Sequence, residues 1–429
     1  MLDFIFTHTP LKFFIQSFWR DEAFSVLLAR RDIVHLLQLT ARDFNPPLYY
    51  LLLKTWMGVF GQSEIATRSL SLIFFWATLF VFYKILTEVI NIKPKNITPY
   101  LFLFLLNPFL LYYAFEARMY MMFTFVVTLS FYFLLTKRTR YYTLAVILGF
   151  YTHYAMAVVA LVQIIGLKKK QWIIKPALYT ILAYLPWLYL LLTQHSFGNE
   201  PFWALAQPIT VFFNLPAIIY SGYEREFGYY EKYILAFSAV IMFVNSVSYF
   251  WSRKKKSTPP VNLRMFFLWA FLPCFLMFFA SLITPVFVPR YIIFSSVGLL
   301  LLTASLLEKT PGGLKVMLLL ILFVFTIHYN RAQIEGREKA DLRSVITEIK
   351  GLAKEDDLLY VSTELDFHTA EYYFGEERVF IYGKTYQEIP HYVGKVLIPE
   401  SKVVTALPHY PQKAFVLNED SSYDIRAIF

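Results

Sequence analysis

Long apolar runs without a charged side chain are the first feature of this sequence. Each is close to the ~20 residues that a helix needs to cross the hydrocarbon core of a bilayer. The clearest runs are Ile97–Phe115, Met119–Thr136, Pro176–Gln194, Tyr233–Ser252 and Met265–Val288. Because several runs of this length occur in one chain, the pattern predicts a multi-pass α-helical membrane protein.

Basic residues are grouped in short clusters between the apolar runs. The clusters are Lys93/Lys95, Lys137–Arg140, Lys168–Lys170, Arg253–Lys256 and Lys309/Lys315. Loops on the cytoplasmic side are typically rich in Lys and Arg, so an even number of crossings is expected between successive clusters. With further runs at 67–90, 291–307 and 316–330, this rule predicts about ten spans and places both termini on the extracytoplasmic side.

The interval Tyr141–Leu167 has no charged residue but has basic clusters at both ends. A single span there would invert the topology of everything that follows. A hairpin of two short helices that turns near Gly149–Tyr154 keeps both clusters on one side. Each arm would reach only ~20 Å at 1.5 Å per residue, so the turn and His153 are expected at membrane depth.

The character of the sequence changes after residue 330. Asp341–Ala353 has apolar residues at helical spacing, Leu358–Ser362 resembles a strand, and Asp366–Phe374 resembles a helix that stops at Gly375. Two more strand-like segments follow at Val379–Tyr382 and Ala414–Leu417. We therefore predict a transmembrane domain over 1–330 and a small extracytoplasmic α/β domain over 331–429.

The composition agrees with this division and excludes other classes. Hydrophobic residues make up 57% of the chain and charged residues 16%. The net charge of +10 comes from the clusters between spans, so nucleic-acid binding is not expected. The single cysteine, Cys274, lies inside a predicted span, which excludes an intrachain disulfide. The predicted location is the cell (plasma) membrane.

The acidic pair Asp21-Glu22 is the first candidate site on the predicted outer side. It lies among aromatic residues close to the bilayer, where a carboxylate usually faces a cavity or a partner. Such a carboxylate can have a raised pKa and act as a general base. Alternatively, Asp21 caps a helix over Glu22–Ala29.

A second candidate segment surrounds Asp43 and Asn45, within a predicted outer catalytic loop of residues 15–65. This segment predicts a helix start, with Asn45 as the cap and proline in the first turn. The helix Leu48–Phe60 would end at Gly61 and lie on the outer leaflet, because 13 residues are short for a span.

Three later segments supply possible phosphate ligands and supporting residues. Arg118 and Arg290 are arginines at predicted membrane surfaces, where a guanidinium suits phosphate. For Arg118 the alternative interpretation is an ion pair with a glutamate or an interfacial side chain. The supporting candidates are Glu116 and Tyr120, which would share a helix face, and Tyr291. His153 is the weakest candidate, because a lone buried histidine is more often structural.

The motifs in these segments resemble those of the GT-C glycosyltransferases. The run W-x-D-E-A-F-S at 19–25 is followed by D-x-N-P-P-L-Y-Y-x-L-L-x-x-W at 43–56 and F-G-x-S-E-x-x-x-R-x-x-S at 60–71. E-A-R-M-Y, T-H-Y and P-R-Y follow in the same order. The closest resemblance is to glycosyltransferase family 39, which includes protein O-mannosyltransferases and the aminoarabinose transferases of lipid A. By topology it covers about residues 18–310.

This resemblance implies an inverting transfer from a polyprenyl-phosphate sugar to a hydroxyl of a protein, lipid or glycan acceptor. It implies that Asp21 or Glu22 is the catalytic base, with Asp43 nearby, and that Arg118 and Arg290 stabilise charge on the lipid phosphate, assisted by His153. No metal ligands are assigned, and the need for a divalent metal is left open. No nucleotide-binding motif is present, as expected for a lipid-linked donor.

One departure and one alternative accompany this interpretation. The family normally has a transmembrane helix before the acidic loop, whereas only about 20 residues precede Asp21 here. We expect the first helix to be missing through a late start or to be supplied differently. The alternative function is a transporter or lipid flippase, although such proteins concentrate ionisable groups near the midplane and often have two repeated halves.

Overall fold

The computed structural model describes residues 6–43, 45–167, 171–194, 204, 207–224, 228, 230–254 and 262–428. The predicted basic cluster Lys168–Lys170 and the end of the cluster Arg253–Lys256 lie outside these residues.

The described part of the chain is mainly helical. Its α-helices are α1 (Lys12–Ile15), α2 (Arg20–Arg30), α3 (Ile33–Arg42), α4 (Leu48–Phe60), α5 (Glu64–Lys84), α6 (Thr98–Leu105), α7 (Pro108–Ala114), α8 (Tyr120–Leu135), α9 (Thr139–Thr152), α10 (Met156–Gly166), α11 (Gln171–Gln194), α12 (Val211–Ser221), α13 (Ile234–Lys254), α14 (Leu263–Ser281), α15 (Phe294–Leu307), α16 (Gly312–Gly336), α17 (Leu342–Leu352) and α18 (Phe367–Phe374).

The chain divides into two compact units. The first, which we call the helical unit, comprises Met1–Phe13, Ser69–Tyr189 and Phe202–Arg337. The second, the α/β unit, comprises Phe14–Arg68, Leu190–Pro201 and Glu338–Phe429. The segment that carries the acidic pair therefore folds with the C-terminal domain, by which we mean Glu338–Phe429.

Helix α15 forms the core of the helical unit, with all of its residues buried. A helix that is apolar on every side is stable only when it is surrounded. Gly298 allows α14 to pack closely against it, because a Cβ atom there would lie 2.8 Å from Cγ of Trp269. Trp269 in turn stacks on Phe131 of α8, with ring centroids 3.9 Å apart.

The outer helices of this unit have the opposite character, with apolar side chains exposed. On α11, Ile174, Leu178 and Leu192 are all more than half exposed. Among the described residues, five helices are long and apolar enough to cross a membrane. They are Glu64–Val89, which includes a π-helical end, and α11, α13, α14 and α16. This pattern defines a multi-pass membrane protein. The count of ten crossings stays a prediction.

The predicted hairpin is confirmed. Helices α9 and α10 are separated only by His153, Tyr154 and Ala155. The uninterrupted span Ile97–Phe115 is wrong, because the helix breaks between α6 and α7. Asn107 caps α7 by accepting a hydrogen bond from the backbone N–H of Leu110 at 3.0 Å, and Pro108 cannot continue the preceding helix.

The α/β unit contains a five-stranded sheet. Its strands are β1 (Leu358–Val361), β2 (Val379–Tyr382), β3 (Val403–Val404), β4 (Ala414–Leu417) and β5 (Tyr423–Arg426). The order is β3-β2-β1-β4-β5, with only the β4–β5 pair antiparallel. The predicted α/β fold of the C-terminal segment is thereby confirmed, and β3 and β5 are additions to the predicted strands.

Helices α17 and α18 supply the apolar face that packs on this sheet. Ile346 and Ile349 of α17 and Phe367 of α18 are fully buried in one core with Leu359 and Ile381 of the strands. Gly375 ends α18 with φ +128°, as predicted. The sheet and its two helices hold the C-terminal domain together through this core.

Candidate active site

The acidic pair lies in the first turn of α2, in the α/β unit. Trp19 occupies the N-cap position of this helix, so the alternative in which Asp21 is the cap is wrong. Adjacent helical residues point about 100° apart. Glu22 is accordingly fully buried, whereas the Asp21 side chain is 13% exposed and accepts a hydrogen bond from Nε of Arg20 at 3.2 Å.

Glu22 is bound by two basic side chains. Nε and Nη2 of Arg68 donate to its two carboxylate oxygens at 2.8 and 2.7 Å, and Nζ of Lys339 donates to Oε2 at 2.7 Å. Burial alone would raise the pKa of Glu22, but Arg68 and Lys339 hold this pKa at about 2, below its ordinary value. A carboxylate held in its ionised form by two cations is a poor proton acceptor.

Arg68 also organises the residues that lead into α2. Its Nη1 donates to the carbonyl oxygens of Phe14 and Gln16, at 3.0 and 2.6 Å, and its Nη2 donates to that of Ser17 at 3.3 Å. All three guanidinium nitrogens therefore have acceptors, which accounts for an arginine that is completely buried. We call Arg68, Glu22 and Lys339 the anchor cluster.

Asp43 and Asn45 lie between α3 and α4. Asp43 is the C-cap of α3 and is buried, and Nδ2 of Asn45 donates to its Oδ2 at 3.4 Å. The prediction that Asn45 caps the next helix is wrong, since Pro47 is the N-cap of α4 and forms no side-chain hydrogen bond. The predicted extent of α4 and its end at Gly61 are confirmed.

In the helical unit, the predicted segment Glu116–Tyr120 lies at the turn between α7 and α8. The Ser71 hydroxyl fixes this turn by donating to the carbonyl oxygen of Glu116 at 2.6 Å. Since α8 begins only at Tyr120, the expected helix face shared by Glu116 and Tyr120 is absent. Glu116 and Arg118 are both buried, and the Arg118 guanidinium lies 5.9 Å from the centroid of the Tyr120 ring.

His153 joins the predicted T-H-Y and P-R-Y segments to this turn, because its ring lies near those of Tyr120 and Tyr291. Its ring is 6.2 Å from that of Tyr120 and 5.1 Å from that of Tyr291, and it stacks on Phe123 at 5.1 Å. Nδ1 accepts a hydrogen bond from the backbone N–H of Ala155 at 3.1 Å. The histidine therefore packs the hairpin turn against α8 and the 3-10 turn that contains Tyr291.

Arg290 lies in the 3-10 turn Pro289–Ile292 at the head of α15, and it is 8% exposed. It lines an open cavity of about 770 Å³ together with Glu224 and Glu231. Most of the other lining side chains are apolar, among them Val211, Phe213, Ile218, Ile234, Leu235 and Phe287. The cavity thus has an apolar wall with charged groups beside it.

A further charged group, which the sequence did not single out, surrounds Tyr113. Its hydroxyl donates to Oε1 of Glu224 at 3.3 Å, and Nη2 of Arg337 lies 3.6 Å from the same oxygen. The Arg337 guanidinium lies 3.6 Å from the centroid of the Tyr112 ring. Arg337 is just beyond the last predicted span, and no motif marks it.

Three arginines are therefore gathered in the helical unit near two glutamates. Glu224, Glu116, Arg337 and Arg290 all act electrostatically on Tyr113, and Arg118 acts on His153. Guanidinium groups gathered in this way can bind an anionic ligand such as a phosphate. No group of three or more His, Cys, Asp or Glu side chains suited to a metal ion occurs in the described part of the chain.

Helices of this length and apolarity, together with the small C-terminal sheet domain, define a multi-pass α-helical membrane protein with an appended α/β domain, as predicted. No protein-family model matches the sequence, and no curated protein matches it significantly.

The fold is similar to that of ArnT from Cupriavidus metallidurans. With the apo crystal structure the TM-score is 0.68 at 13% identity, over 97% of this chain and 91% of that one. With the crystal structure bound to undecaprenyl phosphate, the TM-score is 0.64 at 12% identity, with the same coverage.

Proposed function

We propose that this chain is a membrane glycosyltransferase that moves a sugar from a polyprenyl-phosphate donor to an acceptor hydroxyl on the extracytoplasmic side. The observation that carries the proposal is the group of buried arginines in the helical unit, with Arg290 on the wall of a largely apolar cavity. The similarity in fold to a protein that binds undecaprenyl phosphate supports the same class of lipid donor.

The cavity has the properties that a lipid phosphate requires. An isoprenoid chain gains free energy from apolar walls such as those of Phe213, Ile234 and Leu235. A phosphate gains charge-assisted hydrogen bonds from a guanidinium. We assign Arg290, with Arg118, to the donor phosphate, and we assign His153 and Tyr291 to the packing that holds these arginines in place.

The reaction we propose is a single displacement. Asp21 accepts the proton of the acceptor hydroxyl, whose oxygen forms a bond to the anomeric carbon from the side opposite the phosphate. The bond between that carbon and the phosphate oxygen breaks, and its electron pair leaves on the lipid phosphate, where arginine stabilises it. The configuration at the anomeric carbon is inverted, and we assign Asp43 to stabilise positive charge that develops on the sugar ring.

The two carboxylates of the acidic pair have different environments, and this difference supports different roles for them. Glu22 is fully buried and is bound by both cations of the anchor cluster. Asp21 is the partly exposed member. We therefore assign the base to Asp21 and a positioning role to Glu22.

The test is transfer of label from a polyprenyl-phosphate sugar to the acceptors of membrane extracts by the purified full-length chain. Arg290→Ala should reduce transfer about 10²-fold, because charge on the leaving phosphate loses a stabilising donor. Arg331→Ala is the matched control, since Arg331 is a solvent-exposed arginine on α16 that pairs with Glu335 four residues on. Movement of the intact lipid without transfer of sugar would support the flippase instead and overturn the proposal.

The proposed orientation has a separate test. A single cysteine at Ser401, an exposed position in the C-terminal domain, should react with an impermeant maleimide in intact cells. A cysteine at exposed Lys95 should react only after the membrane is opened. Both variants are made with Cys274→Ser, which removes the one native thiol. The reverse pattern would contradict the orientation.

A further inference from the structure

The C-terminal domain holds both ends of α2, the helix that carries Asp21. At the start of the helix, Lys339 donates to Glu22 at 2.7 Å. At its end, Glu376 accepts hydrogen bonds from Arg30 at 2.9 Å and from Arg31 at 2.7 Å. These pairs fix both the rotation and the position of the helix within the α/β unit.

The middle of α2 is packed against the same domain. The Phe24 ring is 5.6 Å from that of His368 on α18, and Nε2 of His368 lies 3.2 Å from the carbonyl oxygen of Gly394. Gly394 has φ +84°, and a Cβ atom there would lie 2.5 Å from the Phe24 ring. Glycine adopts this positive φ without strain and has no Cβ atom to collide with Phe24. The loop at Gly394 can therefore approach α2 closely.

The residues before α2 are held by a tyrosine of the C-terminal domain. The Tyr373 hydroxyl accepts a hydrogen bond from the backbone N–H of Phe18 at 2.8 Å and donates to Oε1 of Glu64 at 2.7 Å. Arg343 also contacts Glu64, at 3.2 Å. As acceptor and donor at once, the Tyr373 hydroxyl links the residues before α2 to the start of α5.

We propose that the C-terminal domain positions the catalytic base, with Lys339 and Tyr373 as the positioning residues. The inference rests on the proposed function, in which Asp21 takes the acceptor proton. Asp21 directly precedes Glu22 on α2, so the contact from Lys339 sets the angle at which Asp21 is presented. Displacement of a reacting group by about 1 Å can cost 10²-fold in rate, and this is the effect that these contacts prevent.

Lys339→Met tests the proposal most sharply. Arg68 still pairs with Glu22 in this variant, so the fold is expected to persist. We expect kcat to fall about tenfold, with KM for the polyprenyl-phosphate sugar unchanged within twofold, because the donor phosphate is assigned to the helical unit. Lys339→Arg keeps the positive charge and should recover most of kcat.

Tyr373→Phe removes only a hydroxyl and provides a second, milder variant. We expect kcat to fall about threefold, again with KM for the donor unchanged. The matched control is Lys350→Met, on an exposed position of α17 in the same domain, which should leave kcat unchanged. Amide hydrogen exchange in Ala23–Ala29, measured without substrate, should be faster in Lys339→Met than in wild type.

The outcomes separate the two proposals. If wild type transfers no sugar from any polyprenyl-phosphate donor, the proposed function fails. If wild type is active and Lys339→Met behaves like Lys350→Met, only the positioning role is overturned. Equal changes in kcat and KM without recovery in Lys339→Arg would indicate a purely structural contact and would also overturn it.

Discussion

Two regions of this protein bury arginine, and they do so in different ways. In the α/β unit, Arg68 is completely enclosed, and each of its guanidinium nitrogens donates to a carboxylate or carbonyl oxygen of the same unit. In the helical unit, Arg290 lies at the wall of an open cavity of about 770 Å³. An enclosed arginine stabilises its surroundings, whereas an arginine at a cavity wall can meet a ligand.

The same contrast separates the two members of the acidic pair. Glu22 is fully buried and is bound by Arg68 and Lys339. Asp21, next to it on the same helix, is partly exposed. A sequence motif treats adjacent carboxylates alike, but the folded chain gives them different partners. The variants below test whether the distinction between an anchoring and a ligand-facing region is correct.

The largest effect on stability should come from Arg68→Leu. Loss of the guanidinium leaves Glu22 buried with one cation and leaves three carbonyl oxygens without their donor, which should cost about 3–5 kcal/mol. Thermal unfolding of the purified full-length chain measures the change. Arg290→Ala should lower stability by less than about 1 kcal/mol in the same assay, and equal losses would remove the distinction between the two regions.

The pH dependence of stability should report on Glu22. Its pKa is about 2 in the folded chain, against an ordinary value of 4.5. Because the folded pKa is lowered, the stabilisation of about 3 kcal/mol is fully present above pH 4.5 and is lost as pH falls toward 2. The difference in unfolding free energy between wild type and Glu22→Gln should therefore shrink over this range. A difference that is constant from pH 6 to 3 would contradict the anchoring role.

A smaller effect of opposite sign is expected at Asp366, the N-cap residue of α18. Burial and the nearby Glu419 raise the pKa of Asp366 to about 6, although Arg20 opposes them. Ionisation of this carboxyl therefore costs stability as pH rises from about 4 to 6. Asp366→Asn should stabilise the chain by about 1 kcal/mol at pH 7 and have little effect at pH 4. Equal effects at both pH values would assign the change to packing instead of charge.

Much of the fold could be predicted because its signals are local. The length of the apolar runs predicted the long helices. The charge-free interval Tyr141–Leu167, with basic clusters at both ends, predicted the α9–α10 hairpin. The break at Asn107 was not predicted, although its signal is also local, since an Asn-Pro pair interrupts the run Ile97–Phe115. A strand as short as Val403–Val404 carries too little pattern to be recognised.

The site was predictable only in part, because its contacts join residues that are far apart in sequence. The motifs marked Asp21, Arg118 and Arg290, but Glu22 meets Lys339 across more than three hundred residues. Arg337 and Lys339 follow the last predicted span with no motif of their own. The sequence therefore shows the candidate groups without showing which of two neighbouring carboxylates is buried by an ion pair.

The most direct test of the central claim is the rate of label transfer by Asp21→Asn, measured beside Asp356→Asn, an exposed aspartate of the C-terminal domain. The account predicts a loss of about 10²–10⁴-fold for Asp21→Asn, with unfolding temperature and donor binding unchanged, because the proton acceptor is removed and the anchor cluster is intact. Transfer by Asp21→Asn within twofold of the control would contradict the assignment of Asp21 as the base.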